Sequence, residues 1–154
     1  MKIKEIFEID DAVTFINELC DYLDKKRNSS AGLSKGERLI DFYYRFMASK
    51  DMDGFGDLFY QAFSLEECKD VIRWFSELGL DQAARHFREA LDIYCRRRLV
   101  TSEEYNQLDP FDLEEAEGRR FDEIGKFFDS EECGLYGCEE LIKEWMSKNR
   151  HLFT

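Results

Sequence analysis

The chain has 154 residues, a formal net charge of −12 and a pI near 4.7. That charge argues against direct binding to nucleic acid or to an anionic membrane, both of which need Lys and Arg in excess, and it favours basic partners. With 44% hydrophobic and 15% aromatic residues the chain can fill a core without staples, and one Pro with nine Gly favours long helices over a turn-rich β protein.

The N-terminus, MKIKEIFEIDD, carries acids where a signal peptide needs an apolar run. The first helix is expected from Asp11 to Arg27, with Val13, Ile16, Leu19, Cys20 and Leu23 facing inward. Acids at its start and Lys25, Lys26 and Arg27 at its end suit the helix dipole. Asn28 to Gly32 has loop composition. Ser34 with Glu37 forms a capping box that opens a second helix to about Ser49. Its apolar face is Leu39, Ile40, Phe42, Tyr43, Phe46 and Met47, and Lys50 to Gly54 is expected to break it.

A short helix is expected at Phe55, Leu58, Phe59 and Phe63. Ser64 with Glu67 caps the next, which buries Leu65, Cys68, Val71, Ile72, Phe75 and Leu78 and stops at Gly79. A further helix starts near Asp81 and buries Ala83, Ala84, Phe87, Leu91 and Tyr94, with Arg96, Arg97 and Arg98 at its C-terminal end. Thr101 with Glu104 is a third capping box, and Asp109-Pro110 marks a break. Phe111, Leu113, Phe121, Ile124, Phe127 and Phe128 supply apolar positions beyond it. After a loop from Glu131 to Gly137, a last helix runs from Cys138 to Asn149 and buries Leu141, Ile142, Trp145 and Met146. The expectation is an all-α fold, one compact domain over 1–154 of seven to eight helices, with the core helices at 53–95.

No reaction is specified by a motif. Asp51, Asp53 and Gly54 resemble part of an EF-hand loop, but Tyr60 stands where the bidentate Glu is needed. His86 and His151 have no further ligands at zinc spacing, so no metal or cofactor is expected. The chain has no G-x-S-x-G, Walker or G-x-G-x-x-G sequence. Its five cysteines are odd in number with no C-x-x-C, which points to free thiols and a cytoplasmic setting.

Charge is unevenly spread. Residues 1–50 hold 9 acids and 9 bases, 51–100 hold 10 and 7, and 101–154 hold 15 and 6. The acidic stretch is 101–144, and its candidates for contact with a basic protein are Asp112, Glu114, Glu115, Glu117, Asp122, Glu123, Asp129, Glu131 and Glu132. The plain alternative is a solvated face that keeps the protein soluble. Fifteen acids and four bases over 101–144 would give about one net charge per ~6 Å of straight helix, against one per ~1.7 Å in duplex DNA. Imitation of DNA therefore requires the segment to fold back or two copies to pair as a homodimer.

The stretch Asp53-Gly54-Phe55, then Leu58, Phe59 and Tyr60, then FSELGLDQAARHFREA at Phe75 to Ala90, resembles the DMP19-like family. That group of small bacterial helical proteins is named after a DNA-mimic protein. Leu78-Gly79-Leu80 stands for the family's Ile-Gly-Ala, and Leu141 to Phe153 is similar to its closing helix. The resemblance covers Ser34 to Phe153. Met52, Asp53 and Asp57 depart from the family's Asn, Gly and Gln, which puts any function of that turn in doubt. The resemblance implies a helical protein and, through the member that names the family, DNA mimicry. With the acidic C-terminal carboxylates, the leading expectation is a non-enzymatic module that docks a basic protein such as a DNA-binding regulator and occupies its DNA-binding surface. Two other readings stand beside it. One is an immunity protein that neutralises a basic toxin such as a nuclease. The other is a small-molecule enzyme with its site at the 51–57 turn.

Overall fold

The computed structural model describes residues 1–29 and 32–153. The fold is all-α, with eight α-helices and no strand among the described residues. They are α1 (Ile3–Ile6), α2 (Ala12–Arg27), α3 (Lys35–Asp53), α4 (Leu65–Glu77), α5 (Asp81–Tyr94), α6 (Ser102–Asn106), α7 (Glu115–Asp129) and α8 (Glu139–Lys148). The chain divides into two compact units. One is Met1–Phe42 with Gly137–Thr154, and the other is Tyr43–Tyr136. The loop expected at Asn28 to Gly32 includes Ser30 and Ala31, which lie outside the described residues.

In the first unit α2 packs on α1 and α8. Asp11 caps α2, its carboxylate accepting from the Thr14 N–H at 2.8 Å. The buried stripe is Ala12, Phe15, Leu19 and Leu23, while Val13 is exposed. The expected inward set was therefore turned: Val13 lies one residue, about 100° of helix, beyond Ala12, and Phe15 takes the core position. Ser34 and Glu37 form their capping box, at 3.2 and 3.4 Å. Glu37 is fully buried and also accepts from Tyr22 Oη at 3.0 Å and Lys26 Nζ at 2.9 Å, so its charge is paired inside the unit. At Gly36 an added Cβ would stand 2.7 Å from the Phe153 ring, so only glycine admits that contact.

The second unit is built on rings. Phe87 lies 5.4 Å from Phe46, 5.0 Å from Phe59, and about 6.1 Å from both Phe75 and Phe128, centroid to centroid. These rings come from α3, the turn after it, α4, α5 and α7, and α5 packs against both α4 and α7. The inward positions read for α4 and α5 are all buried, joined by Trp74, Ala90 and Ile93.

Three local expectations are corrected. First, α3 does not break at Lys50 but runs on to Asp53. Lys50 is buried and its ammonium donates to Asp51, Asp129 and Tyr136, so a residue that composition assigns to a turn is anchored as helix. Second, the short helix after Gly54 is a π-helical turn, Leu58–Ala62, closed by the Phe63 N–H on the Leu58 carbonyl at 3.0 Å. Third, Phe111 is not a core residue but 93% exposed. It sits in a 3₁₀ turn, Pro110–Asp112, that Asp109 caps through the Phe111 N–H at 2.9 Å. That turn leaves the ring outside.

Candidate partner-binding surface

The second unit concentrates the charge. Residues 43–136 hold 22 acids and 12 bases, net −10, whereas the other unit holds 12 and 10, net −2. Glu139, Glu140 and Glu144, acids of the C-terminal third by sequence, belong to the nearly neutral unit.

All nine candidate acids lie in the second unit, on or beside α7. Phe121, Ile124, Gly125 and Phe128 bury one face of that helix. Glu114 is its N-cap residue, and Glu115 and Glu117 occupy its first turn, where the helix dipole favours anions. Three of the nine are held by bases. Glu117 accepts from Arg97 at 3.0 Å, Glu123 from Arg120 at 3.2 Å, and Asp129 from Lys50 at 3.3 Å. Arg120 also grips Glu89 on α5 through two hydrogen bonds of 2.6 and 3.0 Å, which hold the Glu89 carboxyl below its ordinary pKa. The other six, Asp112, Glu114, Glu115, Asp122, Glu131 and Glu132, are exposed and make no ion pair among the described residues. Glu115, Asp122 and Asp129 recur every seven residues, two helical turns, and so share one side of α7 at ~10.5 Å intervals.

That side of α7 forms one wall of a groove of about 720 Å³. The opposite wall is the segment after α3. There the chain reverses at Gly54 (φ +91°), and Phe55 drops against Gly125, where an added Cβ would meet the Phe55 Cβ at 3.2 Å and its ring at 3.3 Å. Phe55, Phe121, Pro110 and Leu113 give the groove its apolar surface, with Tyr60 and Phe111 beside them. Asp53, Asp57, Asp122 and Asp129 line it together with a single base, Lys126. Burial pushes the Asp57 carboxyl above its ordinary pKa, and the negative Asp53 adds to the shift. Among the described residues the lining contains no His, Cys, Ser or Thr. Among the described residues no group of three or more His, Cys, Asp or Glu is placed to hold a metal ion.

Residues 31–149 match the family model described as DMP19-like protein. The chain belongs to the DMP19-like family. No curated protein and no solved structure matches it. The family match spans the whole second unit, including the turn at Met52 to Asp57 where this sequence departs from the family pattern.

The groove brings Asp53, Asp57, Tyr60 and Phe111 to Asp122 and Asp129. The acid count over 101–144 missed the first two because they lie some fifty residues upstream. Their only signal was the polar turn itself. No helix among the described residues is long and apolar enough to cross a membrane.

Proposed function

We propose that this DMP19-like protein is a non-enzymatic, cytoplasmic binding module that docks a basic protein through the acidic surface of its second unit. The observation that carries the reading is the charge: net −10 on residues 43–136, with six of the nine candidate carboxylates exposed and unpaired by any base among the described residues. Carboxylates without an internal partner lose no ion pair when a partner's Lys or Arg approaches, and their summed field speeds encounter.

The partner is a DNA-binding regulator in the form the family's namesake suggests. The spacing of the row on α7, one carboxylate per ~10.5 Å, is far more open than the charge of duplex DNA. Imitation of DNA therefore calls for carboxylates beside that row, from Asp53 and Asp57 across the groove or from a second copy of the chain. A basic toxin met by an immunity protein would use the same contacts, and the identity of the captured protein separates the two. The groove gives the small-molecule reading its support through the raised Asp57 carboxyl, which shares the lining with Asp53, Tyr60, Asp122, Lys126 and Asp129.

The test replaces Asp112, Glu114, Glu115, Asp122, Glu131 and Glu132 with Lys. The wild-type chain should retain a basic protein from its source cell at low salt and release it near ~0.5 M, where the Debye length is only a few ångströms. The variant should retain none, with helicity by circular dichroism unchanged. A folded variant that still captures the same protein removes the acidic surface from the mechanism.

A further inference from the structure

Phe111 presents a core-sized ring to water in the groove of Asp53, Asp57 and Asp122, which make no ion pair among the described residues. An aromatic of this size buries 150–250 Å² when covered, so leaving it exposed forfeits one of the larger single contributions a residue can make. Tyr60, half exposed at 51%, stands in the same groove. The floor between them is apolar, and it stays low along α7 because Gly118 and Gly125, seven residues apart, carry no side chain. Asp53, Asp57 and Asp122 stand there against Lys126, while the fourth aspartate, Asp129, is held by Lys50.

This combination selects a chemistry. A flat ring next to carboxylates suits a planar cation, which can stack on the ring and pair in its own plane at the same time. An apolar floor suits the methylene stem that carries such a cation. A volume of about 720 Å³ is that of a pocket for several side chains rather than one. We infer that this groove takes an arginine-rich segment of a protein partner, with guanidinium groups laid on Phe111 and Tyr60 and paired with Asp53, Asp57 and Asp122. The inference rests on the docking reading above and places the partner's segment on it. The raised carboxyl of Asp57 agrees with it: burial is the larger cause and the negative Asp53 the smaller, and an entering cation would offset both. Lysine is the poorer occupant, because its compact, strongly hydrated ammonium gains less from the rings.

The test is calorimetric titration of the full chain at low ionic strength with two end-capped peptides, hexa-arginine and hexalysine. Hexa-arginine should bind the tighter. Phe111→Ala should weaken hexa-arginine by about 2- to 30-fold, the range a cation–π contact supplies, and Phe111→Trp should restore it. Phe111 is 93% exposed, so both variants should keep the fold, which circular dichroism checks. Equal affinity for the two peptides, or hexa-arginine binding indifferent to Phe111→Ala, overturns the inference. The double variant Glu131→Lys/Glu132→Lys separates the two claims. If it weakens hexa-arginine while Phe111→Ala does not, the groove falls and the broader acidic docking stands.

Discussion

Two helices of the second unit end in the same hydrogen-bond pattern with different residues in the left-handed position. After α4 the Gly79 N–H bonds to the Ser76 carbonyl and the Leu80 N–H to that of Phe75, with Gly79 at φ +77°. After α5 the Arg96 N–H bonds to Ile93 and the Arg97 N–H to Asp92, with both arginines at positive φ. Each is a Schellman-type ending, which glycine adopts without penalty and arginine does not. The Arg96 guanidinium offsets the strain by donating to the carbonyls of Tyr94 and Asp109, at 2.6 and 2.8 Å. Gly79→Ala tests the conformational term alone, because an added Cβ meets nothing within 4 Å. It should lower stability by about 1–2 kcal/mol in urea denaturation. Gly79 was legible as a helix stop because its chemistry is local. The Arg96 turn was not, since what holds it is a carbonyl thirteen residues on. Phe111 misled for a related reason: apolar character says that burial is favourable, not that the chain supplies the neighbours.

The capping boxes were the most legible features at the scale of elements. Ser64 with Glu67 and Thr101 with Glu104 both close as spacing alone dictates. Glu67 does more than cap, because Arg45 of α3 donates to it at 2.9 Å. Burial pushes the Glu67 carboxyl up, but the bonds from the Ser64 N–H and from Arg45 outweigh it and hold the group below its ordinary value of 4.5. A depressed carboxyl contributes stability that is present above that ordinary value and lost as pH falls through the folded one. Glu67→Gln should therefore be less stable than the wild type at neutral pH. The gap should narrow as pH drops below about 4.5 in a denaturation series. The end of α3 was not legible, because Asp129 and Tyr136, which secure Lys50, lie 79 and 86 residues away. The same distance hid half of the groove: a tally along the chain finds Asp122 and Asp129 but cannot bring Asp53 and Asp57 across to them.

Family, helical content and an excess of acid could be read from composition and pattern across the whole molecule, but the grouping of charge by unit could not. Residues 43–136 gather nearly all of it because segments separated in sequence fold into one body there. Within that body the arginine turn after α5 has a consequence for cutting the chain. Arg98 is exposed and Leu99 is fully so, in a stretch without regular structure, whereas many of the other basic residues sit on helices. Brief treatment with trypsin should nick the Arg98–Leu99 bond early and give pieces of 1–98 and 99–154 on a denaturing gel. The two pieces should still elute together under native conditions, because α5 on one is packed against α7 on the other. The bond the turn exposes would then be a place where the backbone can be interrupted, or a reporter group inserted, while the acidic surface stays assembled.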